Sequence, residues 1–271
     1  MFTLAIAQSG YPEDGDVLLQ VEWFATRAAD KGAQLIAFPE NLMHPCELTA
    51  DQLAALAEPL DGPFARGICS IARELGIWIA FTMNELHPGA TGTPPFNTAA
   101  IASPDGAVCG SYRKCHLYDA HGVFESDRLS SGDELARPIH TSLGTFGMGV
   151  CYDLRFPEVS RALALAGSGL LLIPAAWHDG PNKPLHWKTL LRARAIENEC
   201  FVAGICHAGT RYVGTSHVFD PLGNELVGGS DDLLMCDIDL DAVRSARYAM
   251  PVFSHRRPEL YCSITQSELG K

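Results

Sequence analysis

Short apolar runs alternate along this chain with longer segments in which apolar residues recur every three or four positions. The longer spacing is that of one face of an α-helix, and the short runs are typical of buried strands. Within residues 16–31 the recurrence predicts a helix that Asp14 or Asp16 caps and that Gly32 ends. We predict helices at 16–31, 63–75, 158–166 and 186–198, and strands at 2–8, 35–38, 77–82, 148–151, 170–174 and 201–207.

Two turn sequences add hairpins to this alternation. Residues 103–106 read Ser-Pro-Asp-Gly and residues 220–224 read Asp-Pro-Leu-Gly-Asn, each between two extended runs. Proline, aspartate and glycine in this order favour tight turns. Helices mixed with hairpins and single strands indicate mixed sheets with helices packed outside them. We therefore predict one α/β domain over residues 1–271, in which residues 248–271 form a C-terminal arm that can pack against a partner subunit.

The composition is that of a globular protein and limits its partners. Hydrophobic residues make up 47% of the 271 residues, and the formal net charge is −12. We expect no nucleic-acid or membrane partner, because both bind through concentrated positive charge. The nine cysteines form no CxxC pair, the N-terminus lacks the basic region of a signal peptide, and the longest apolar run is too short to span a membrane. These features predict a cytoplasmic protein.

The motifs of several common cofactor and catalytic sites are absent. The chain contains no G-x-x-x-x-G-K-[ST] phosphate loop, no G-x-S-x-G turn and no H-E-x-x-H pair. The glycines at 144–149 precede a strand, whereas a dinucleotide-binding turn follows one. The histidines lack further ligands at metal-binding spacing. We expect neither a cofactor nor a metal.

Three predicted strands run into an ionisable side chain where the chain leaves the sheet. These side chains are Glu40, Lys114 and Cys151. Ligands collect at the carboxyl ends of strands in α/β folds, because the loops there can converge. Each residue also has an ordinary interpretation, as a solvated loop acid, a surface charge and a buried small hydrophobe. Together, a carboxylate, an ammonium and a thiol at equivalent positions favour a catalytic site.

These three side chains suit nucleophilic catalysis. A thiol becomes a strong nucleophile as its thiolate, and Glu40 can take the proton if burial raises its pKa. Lys114 and the backbone N–H of Tyr152 can stabilise an oxyanion. A helix that begins near Pro157 would direct its positive end toward Cys151 and favour the thiolate.

Longer motifs around these positions resemble the signatures of the nitrilase (carbon–nitrogen hydrolase) superfamily. The motifs are Phe-Pro-Glu-Asn at 38–41, Tyr-Arg-Lys-Cys-His-Leu-Tyr-Asp at 112–119 and Gly-Val-Cys-Tyr-Asp-Leu-Arg-Phe-Pro-Glu at 149–158. Residues 173–177 and 186–198 also resemble later blocks of that superfamily. The likeness thus extends over nearly the whole chain.

The resemblance implies a fold, an assembly and a set of catalytic residues. The fold is a four-layer αββα sandwich, with two mixed sheets and the helices outside, that forms a homodimer or a higher homo-oligomer. The implied triad is Glu40, Lys114 and Cys151, and the implied substrate is a small-molecule amide. Glu125 matches a supporting glutamate after the lysine block, and its alternative is an exposed loop acid.

Within the superfamily, Cys-Tyr-Asp-x-Arg-Phe at 151–156 looks most like the ω-amidase and deaminated-glutathione-amidase branch. A nitrilase usually has Cys-Trp-Glu and a longer C-terminal region, so nitrile hydrolysis is disfavoured. Substrates of the ω-amidase branch carry a carboxylate, which Arg155 can hold in a bidentate fork. Arg155 can equally form an ion pair with Asp153 or Glu158. Trp177, like Tyr152, can line the substrate pocket or belong to the ordinary core.

Two other functions stay open at this stage. An N-carbamoyl amidohydrolase of the same superfamily would act on ureido acids rather than ω-amides. A non-catalytic binding protein on the same fold would release no ammonia from any amide, although the intact triad argues against it.

Overall fold

The computed structural model describes residues 1–13, 15–45, 47–88 and 93–261. Within these ranges the chain forms strands that assemble into two six-stranded sheets and one small hairpin. The strands are β1 Phe2–Ala7, β2 Leu35–Ala37, β3 Trp78–Glu85, β4 Phe96–Ala102, β5 Val108–Arg113, β6 Asp119–Ala120, β7 Val123–Phe124, β8 Ile139–Thr141, β9 Gly144–Met148, β10 Leu170–Ala175, β11 Phe201–Cys206, β12 Ser216–Phe219, β13 Glu225–Gly229 and β14 Leu233–Ile238.

Both large sheets are mixed, as the sequence predicts. The first has the order β14-β1-β2-β3-β4-β5 and the second the order β13-β12-β11-β10-β9-β8. In the first sheet β1, β2 and β3 are parallel, and in the second β9, β10 and β11 are parallel. Antiparallel strands flank each parallel centre. The carboxyl ends of the two parallel centres are therefore the places where loops can gather.

Helices cover the outer faces of the two sheets. The helices are α1 Val17–Asp30, α2 Ala50–Leu56, α3 Pro63–Leu75, α4 Pro157–Leu165, α5 Lys183–Asn198, α6 Asp241–Ala249 and α7 Pro258–Tyr261, with 3-10 turns at Glu125–Asp127 and Cys151–Arg155. On the second sheet, Gly204 lets α5 pack closely, because a Cβ there would lie 2.4 Å from Leu191 and 2.6 Å from Trp187. The layers run helix, sheet, sheet, helix, which confirms the predicted αββα sandwich.

The alternation of side chains along β1 separates two cores. Leu4 and Ile6 point into the core between the sheets, which also holds Phe146 and Met148 of β9. The intervening residues of β1 join the core beneath α1 and α3 instead. Because successive side chains of a strand face opposite sides, one strand can contribute to both layers.

Several predicted boundaries are confirmed and others are wrong. Helix α3 has the predicted bounds, and the Asp16 side chain caps α1 by accepting a hydrogen bond from the N–H of Leu19 at 3.0 Å. Asp14 lies outside the described residues. The predicted strand at 148–151 is wrong, because β9 ends at Met148 and Cys151 begins a 3-10 turn.

The C-terminal region differs in part from the predicted arm. Helix α6 runs to Ala249 and α7 spans Pro258–Tyr261, so this part of the chain is not purely extended. Residues 262–271 lie outside the described residues. Among the described residues, no helix is both long and apolar enough to cross a lipid bilayer.

Candidate active site

Glu40, Lys114 and Glu125 converge in one buried cluster. The Lys114 Nζ lies 2.9 Å from Oε1 of Glu40 and 2.9 and 2.8 Å from the two carboxylate oxygens of Glu125. Lys114 follows β5 directly, and Glu40 lies three residues beyond β2. Only 2% of Lys114, 2% of Glu40 and 8% of Glu125 is exposed. These charges compensate one another away from solvent.

The loop that carries Glu40 is held by side chains of the first sheet. The Thr82 hydroxyl donates to the carbonyl of Pro39 at 3.0 Å and accepts from the N–H of Leu42 at 3.1 Å. Thr82 lies on β3, the strand next to β2. Because both bonds come from a neighbouring strand, they fix the Glu40 loop on the sheet.

Three donors surround the Glu40 carboxylate. Lys114 and the Asn97 amide, at 2.8 Å, donate to Oε1, and the N–H of Ala176, at 2.7 Å, donates to Oε2. Burial alone raises the pKa of Glu40, but the Lys114 charge and the Ala176 N–H outweigh it and leave the pKa below its ordinary value. The condition considered from the sequence, a pKa of Glu40 raised by burial, is therefore not met, and the carboxylate is ionised at neutral pH.

The Lys114 ammonium is held in its charged form. Burial favours loss of its proton, but the carboxylates of Glu125 and Glu40 outweigh this and raise the pKa of Lys114 well above its ordinary value. Lys114 is thus a permanent cation in this site. It can stabilise negative charge, but it is a poor proton acceptor.

Glu125 is a buried member of the cluster rather than an exposed loop acid. It opens the 3-10 turn Glu125–Asp127 after β7, and it contacts the ammonium of Lys114 with both oxygens. Its Oε2 also accepts the N–H of Tyr118 at 2.6 Å. Glu125 therefore orients Lys114 together with Glu40.

Cys151 lies beside this cluster at a strained position. Its φ is +49°, in the left-handed region, and it is the first residue of the turn Cys151–Arg155. Such a φ is uncommon for a residue with a Cβ and recurs at functional sites. The thiol lines the same cleft as the Glu40 carboxylate and interacts with its charge.

Burial and the Glu40 charge raise the pKa of the Cys151 thiol well above its ordinary value, although Lys114 opposes them. The expected thiolate is therefore not the resting form. Helix α4 starts at Pro157, and the 3-10 turn separates it from Cys151. The geometry supports a neutral thiol paired with an ionised carboxylate that can take its proton.

A cleft opens above Cys151, and all the predicted substrate-binding residues line it. Tyr152, Arg155 and Trp177 belong to this lining. The Arg155 guanidinium lies over the Trp177 ring, 4.7 Å from its centroid. In the described ranges, no carboxylate lies within 4.0 Å of the Arg155 guanidinium, so the alternative of an ion pair with Asp153 or Glu158 is wrong. Arg155 offers the cleft a cation without a carboxylate partner.

Sequence reasoning missed several residues of the cleft. Lys183, the first residue of α5, directs its Nζ to the hydroxyl of Tyr118 at 3.2 Å and lies over that ring. Arg128 and the half-buried His178 complete the polar lining. Lys183 belongs to no motif that marked a site in the sequence. No local pattern pointed to His178.

Metal binding requires several histidine, cysteine or acidic side chains at one place. Within the described part of the chain, no group of three or more histidine, cysteine, aspartate or glutamate side chains could hold a metal ion. Both carboxylates beside Cys151 are already occupied by the Lys114 ammonium.

An αββα sandwich with a glutamate, a lysine and a cysteine at one cleft defines a class of hydrolases, and the comparisons agree. The carbon–nitrogen hydrolase family model matches residues 3–248. The chain therefore belongs to the carbon–nitrogen hydrolase family, within the nitrilase superfamily. It is an amidohydrolase acting on carbon–nitrogen bonds.

Among characterised relatives, the chain is similar to enzymes named deaminated glutathione amidase. It is 37% identical to the one from Homo sapiens over 251 residues, covering 88% of this chain and 76% of the relative. It is 34% identical to the one from Escherichia coli O157:H7, covering 85% of this chain and 87% of the relative. These relatives belong to the branch that the Cys-Tyr-Asp-x-Arg-Phe motif resembles.

Solved structures agree with this assignment. The NitFhit protein of C. elegans matches 96% of this chain with a TM-score of 0.85 and 33% identity, and the chain spans 66% of that longer protein. An amidase from Nesterenkonia sp. AN1, in which acrylamide has added to the active-site cysteine, matches with a TM-score of 0.75 and 26% identity. That match covers 96% of this chain and 98% of the amidase.

Proposed function

We propose that this enzyme hydrolyses small amides that bear a carboxylate, through a thioester on Cys151. The observation that carries the proposal is the juxtaposition of the Cys151 thiol with ionised Glu40, in a cleft that also presents Arg155. Relatives named deaminated glutathione amidase support an amide substrate of this kind. The reaction takes two steps, acylation and deacylation.

In acylation, the Cys151 sulfur attacks the amide carbon while the thiol proton passes to Glu40. The carbonyl oxygen becomes an oxyanion, which the Lys114 ammonium and the backbone N–H of Tyr152 stabilise. When the carbon–nitrogen bond breaks, Glu40 returns the proton to the nitrogen. Ammonia or an amine departs, and the acyl group stays on sulfur as a thioester.

In deacylation, water takes the place of the departed amine. Glu40, again a carboxylate, accepts a proton from this water as its oxygen attacks the thioester carbon. The carbon–sulfur bond breaks, and the proton on Glu40 returns to the sulfur of Cys151. The carboxylic acid leaves, and the site is back in its resting protonation state.

The carboxylate of the substrate has a suitable partner in Arg155. A guanidinium can bind a carboxylate through two parallel hydrogen bonds, and the packing of Arg155 on Trp177 pre-organises its plane. Because the cationic side chains of the cleft lie on an acidic molecule, attraction of the anionic substrate is local rather than a property of the whole surface.

A substrate screen tests this function directly. Release of ammonia or amine is measured from ω-amides of dicarboxylic acids, deaminated glutathione, N-carbamoyl amino acids and nitriles. The proposal expects turnover of the carboxylate-bearing amides and none by Cys151→Ala. Turnover confined to ureido acids would favour the N-carbamoyl amidohydrolase, and no turnover of any compound by the folded wild type would overturn the proposal.

The role of Arg155 gives a sharper prediction. Arg155→Ala raises KM for ω-amides of dicarboxylic acids about 10- to 100-fold, the range expected for lost hydrogen bonds between charged groups. Uncharged amides of the same length serve as the control, and their KM changes little. Steady-state kinetics on both substrates measures these KM values. An equal rise in KM on both would contradict a carboxylate-binding role.

A further inference from the structure

Asp153, two residues after Cys151, is the most completely bonded side chain near the site, although it touches neither the thiol nor the cleft. Its carboxylate is 1% exposed. It accepts hydrogen bonds from the Val150 N–H at 2.8 Å, the Tyr112 hydroxyl at 3.0 Å, and the backbone and ring nitrogens of His116 at 3.3 and 2.7 Å. Burying a charge without such partners is strongly unfavourable. The hydrogen bonds of this network therefore stabilise the buried carboxylate.

One group of these bonds closes the turn that holds the nucleophile. The Asp153 carboxylate accepts from the N–H of Val150, and the N–H of Asp153 donates to the Val150 carbonyl at 3.0 Å. Cys151 lies between these two residues with its φ of +49°. The bonds therefore hold the backbone of Cys151 in a conformation that it would otherwise avoid.

The other group reaches the segment that holds the catalytic lysine. Tyr112, on β5, donates to Asp153 and accepts the N–H of Cys115 at 3.1 Å. Lys114 lies between Tyr112 and Cys115 in the chain. The ring of His116 stacks on Phe156 at 3.7 Å while its Nδ1 contacts Asp153. One carboxylate thus joins the cysteine turn to the lysine segment.

This connection matters because the two segments leave different sheets. Lys114 follows β5 of the first sheet, whereas Cys151 follows β9 of the second. The distance between thiol and ammonium depends on how the sheets are registered against each other. A displacement of about 1 Å can cost 100-fold in rate. Hydrogen bonds that join the two sheets close to the thiol and the ammonium therefore affect the rate directly.

We propose that Asp153 is a positioning residue, which sets the place of the Cys151 thiol relative to Lys114 through Val150 on one side and Tyr112 on the other. This inference rests on the proposed roles of Cys151 and Lys114. Asp153 performs no proton transfer itself. Its loss leaves the three catalytic side chains present but out of register.

Asp153→Asn is the first test, because asparagine keeps the size but presents an NH2 group to a cluster of donors. We expect kcat on an ω-amide to fall about 100-fold, with KM within about threefold, since substrate binding is not removed. The second readout is the pH profile of Cys151 alkylation by iodoacetamide, followed on the Cys151 peptide by mass spectrometry. A displaced thiol experiences a different field from Lys114 and Glu40, so the midpoint shifts.

Tyr112→Phe decides the question even if Asp153→Asn does not fold. It removes only the hydroxyl between Asp153 and Cys115, and we expect a loss in kcat of about tenfold together with a shift of the alkylation midpoint. In the double variant the two losses do not multiply, because both substitutions break the same connection. Glu225→Gln is the matched control, since it disturbs a histidine–carboxylate contact of the same 2.7 Å length on edge strand β13.

We expect Glu225→Gln to keep the wild-type alkylation profile and a kcat within about twofold of wild type. The proposal is overturned if folded Tyr112→Phe has the wild-type alkylation profile, or if the losses of the two single variants multiply in the double variant. Alkylation needs no amide turnover. A wild type that hydrolyses no amide but shows the expected shifts would therefore refute the proposed function and leave the positioning role of Asp153 intact.

Discussion

One lysine between two glutamates sets the electrostatics of the site at the residue scale. Glu40, Glu125 and Lys114 together carry a net charge of −1 when all three are ionised. Burial and this excess of negative charge explain why the pKa of the Cys151 thiol is raised rather than lowered. These shifts favour a protonated Cys151 thiol beside an ionised Glu40.

Replacing Lys114 by methionine tests this arrangement through stability. We predict that Lys114→Met lowers the free energy of unfolding at pH 7 by about 3–5 kcal/mol, because Glu40 and Glu125 then lie buried without their cation. Urea denaturation measures the loss. Lys188→Met is the matched control, because Lys188 is a partly exposed lysine that also pairs with a glutamate, and it changes stability by less than about 1 kcal/mol.

The pH dependence of the same variant has a definite sign. In the wild type the pKa of Glu40 is lowered, so its contribution to stability is present above the unfolded value of 4.5 and is lost as pH falls through the folded value. Without Lys114, repulsion and burial raise the pKa of one carboxylate, and its contribution is lost as pH rises. The deficit of Lys114→Met should therefore be smaller at pH 5 than at pH 7. A deficit that grows on acidification would contradict the account.

The sequence alone allowed the prediction of the candidate catalytic residues but not of their protonation. Glu40, Lys114 and Cys151 follow apolar runs and lie in recognisable motifs. The pKa of Glu40 depends in part on a hydrogen bond from the N–H of Ala176. Ala176 lies 136 positions further along the chain, so this bond exists only after folding. The hydrogen bonds that Asp153 accepts from Tyr112 and His116 likewise exist only in the folded chain.

At the scale of elements, several of the missed elements were too short to show a period. Helices α1 and α3 span several turns, so their apolar period was readable. Helix α2 has only seven residues and β6 and β7 have two each, too short for a period, and all three were missed. The strand predicted at 148–151 was placed too late in the chain, because Val150 is apolar although β9 already ends at Met148.

The cap of α1 offers a test at this scale. Asp16→Ala removes the hydrogen bond to the N–H of Leu19 and should lower the free energy of unfolding by about 1 kcal/mol. Asp16→Asn is the control, because its side-chain oxygen can still accept that hydrogen bond. Thermal unfolding followed by circular dichroism compares them. Equal losses in both variants would show that charge, not capping, is responsible.

At the scale of the whole molecule, the site lies where two sheets meet. Glu40 and Lys114 follow strands of the first sheet, and Cys151 and Ala176 follow strands of the second. The core between the sheets is shared by both, with Leu4 and Ile6 facing Phe146 and Met148. The sequence predicted two mixed sheets but not which strand ends would face each other, because no local pattern encodes the packing of one sheet on another.

The assembly also belongs to this scale, and we propose that the chain forms a homodimer through α5. Ile196 of α5 and Leu222, in the turn after β12, are exposed by 50% and 69%, and Ile196 packs at Gly223. Light scattering after size exclusion should give twice the chain mass of 29.3 kDa. Ile196→Asp should shift the protein toward monomer. Leu19→Asp, the same kind of change at an exposed position of α1, should not. A monomeric wild type would contradict the proposal.

The central claim is a thioester on Cys151, and intact-mass spectrometry during turnover tests it most directly. An ω-amide is mixed with the wild type and the reaction is stopped with acid during turnover, because Glu40 serves both steps and its replacement would slow acylation as well. We predict a mass increase equal to the acyl group, located on the Cys151 peptide and absent from Cys151→Ala. Undiminished amide hydrolysis by Cys151→Ala, or an acyl group found on any other residue, would contradict it.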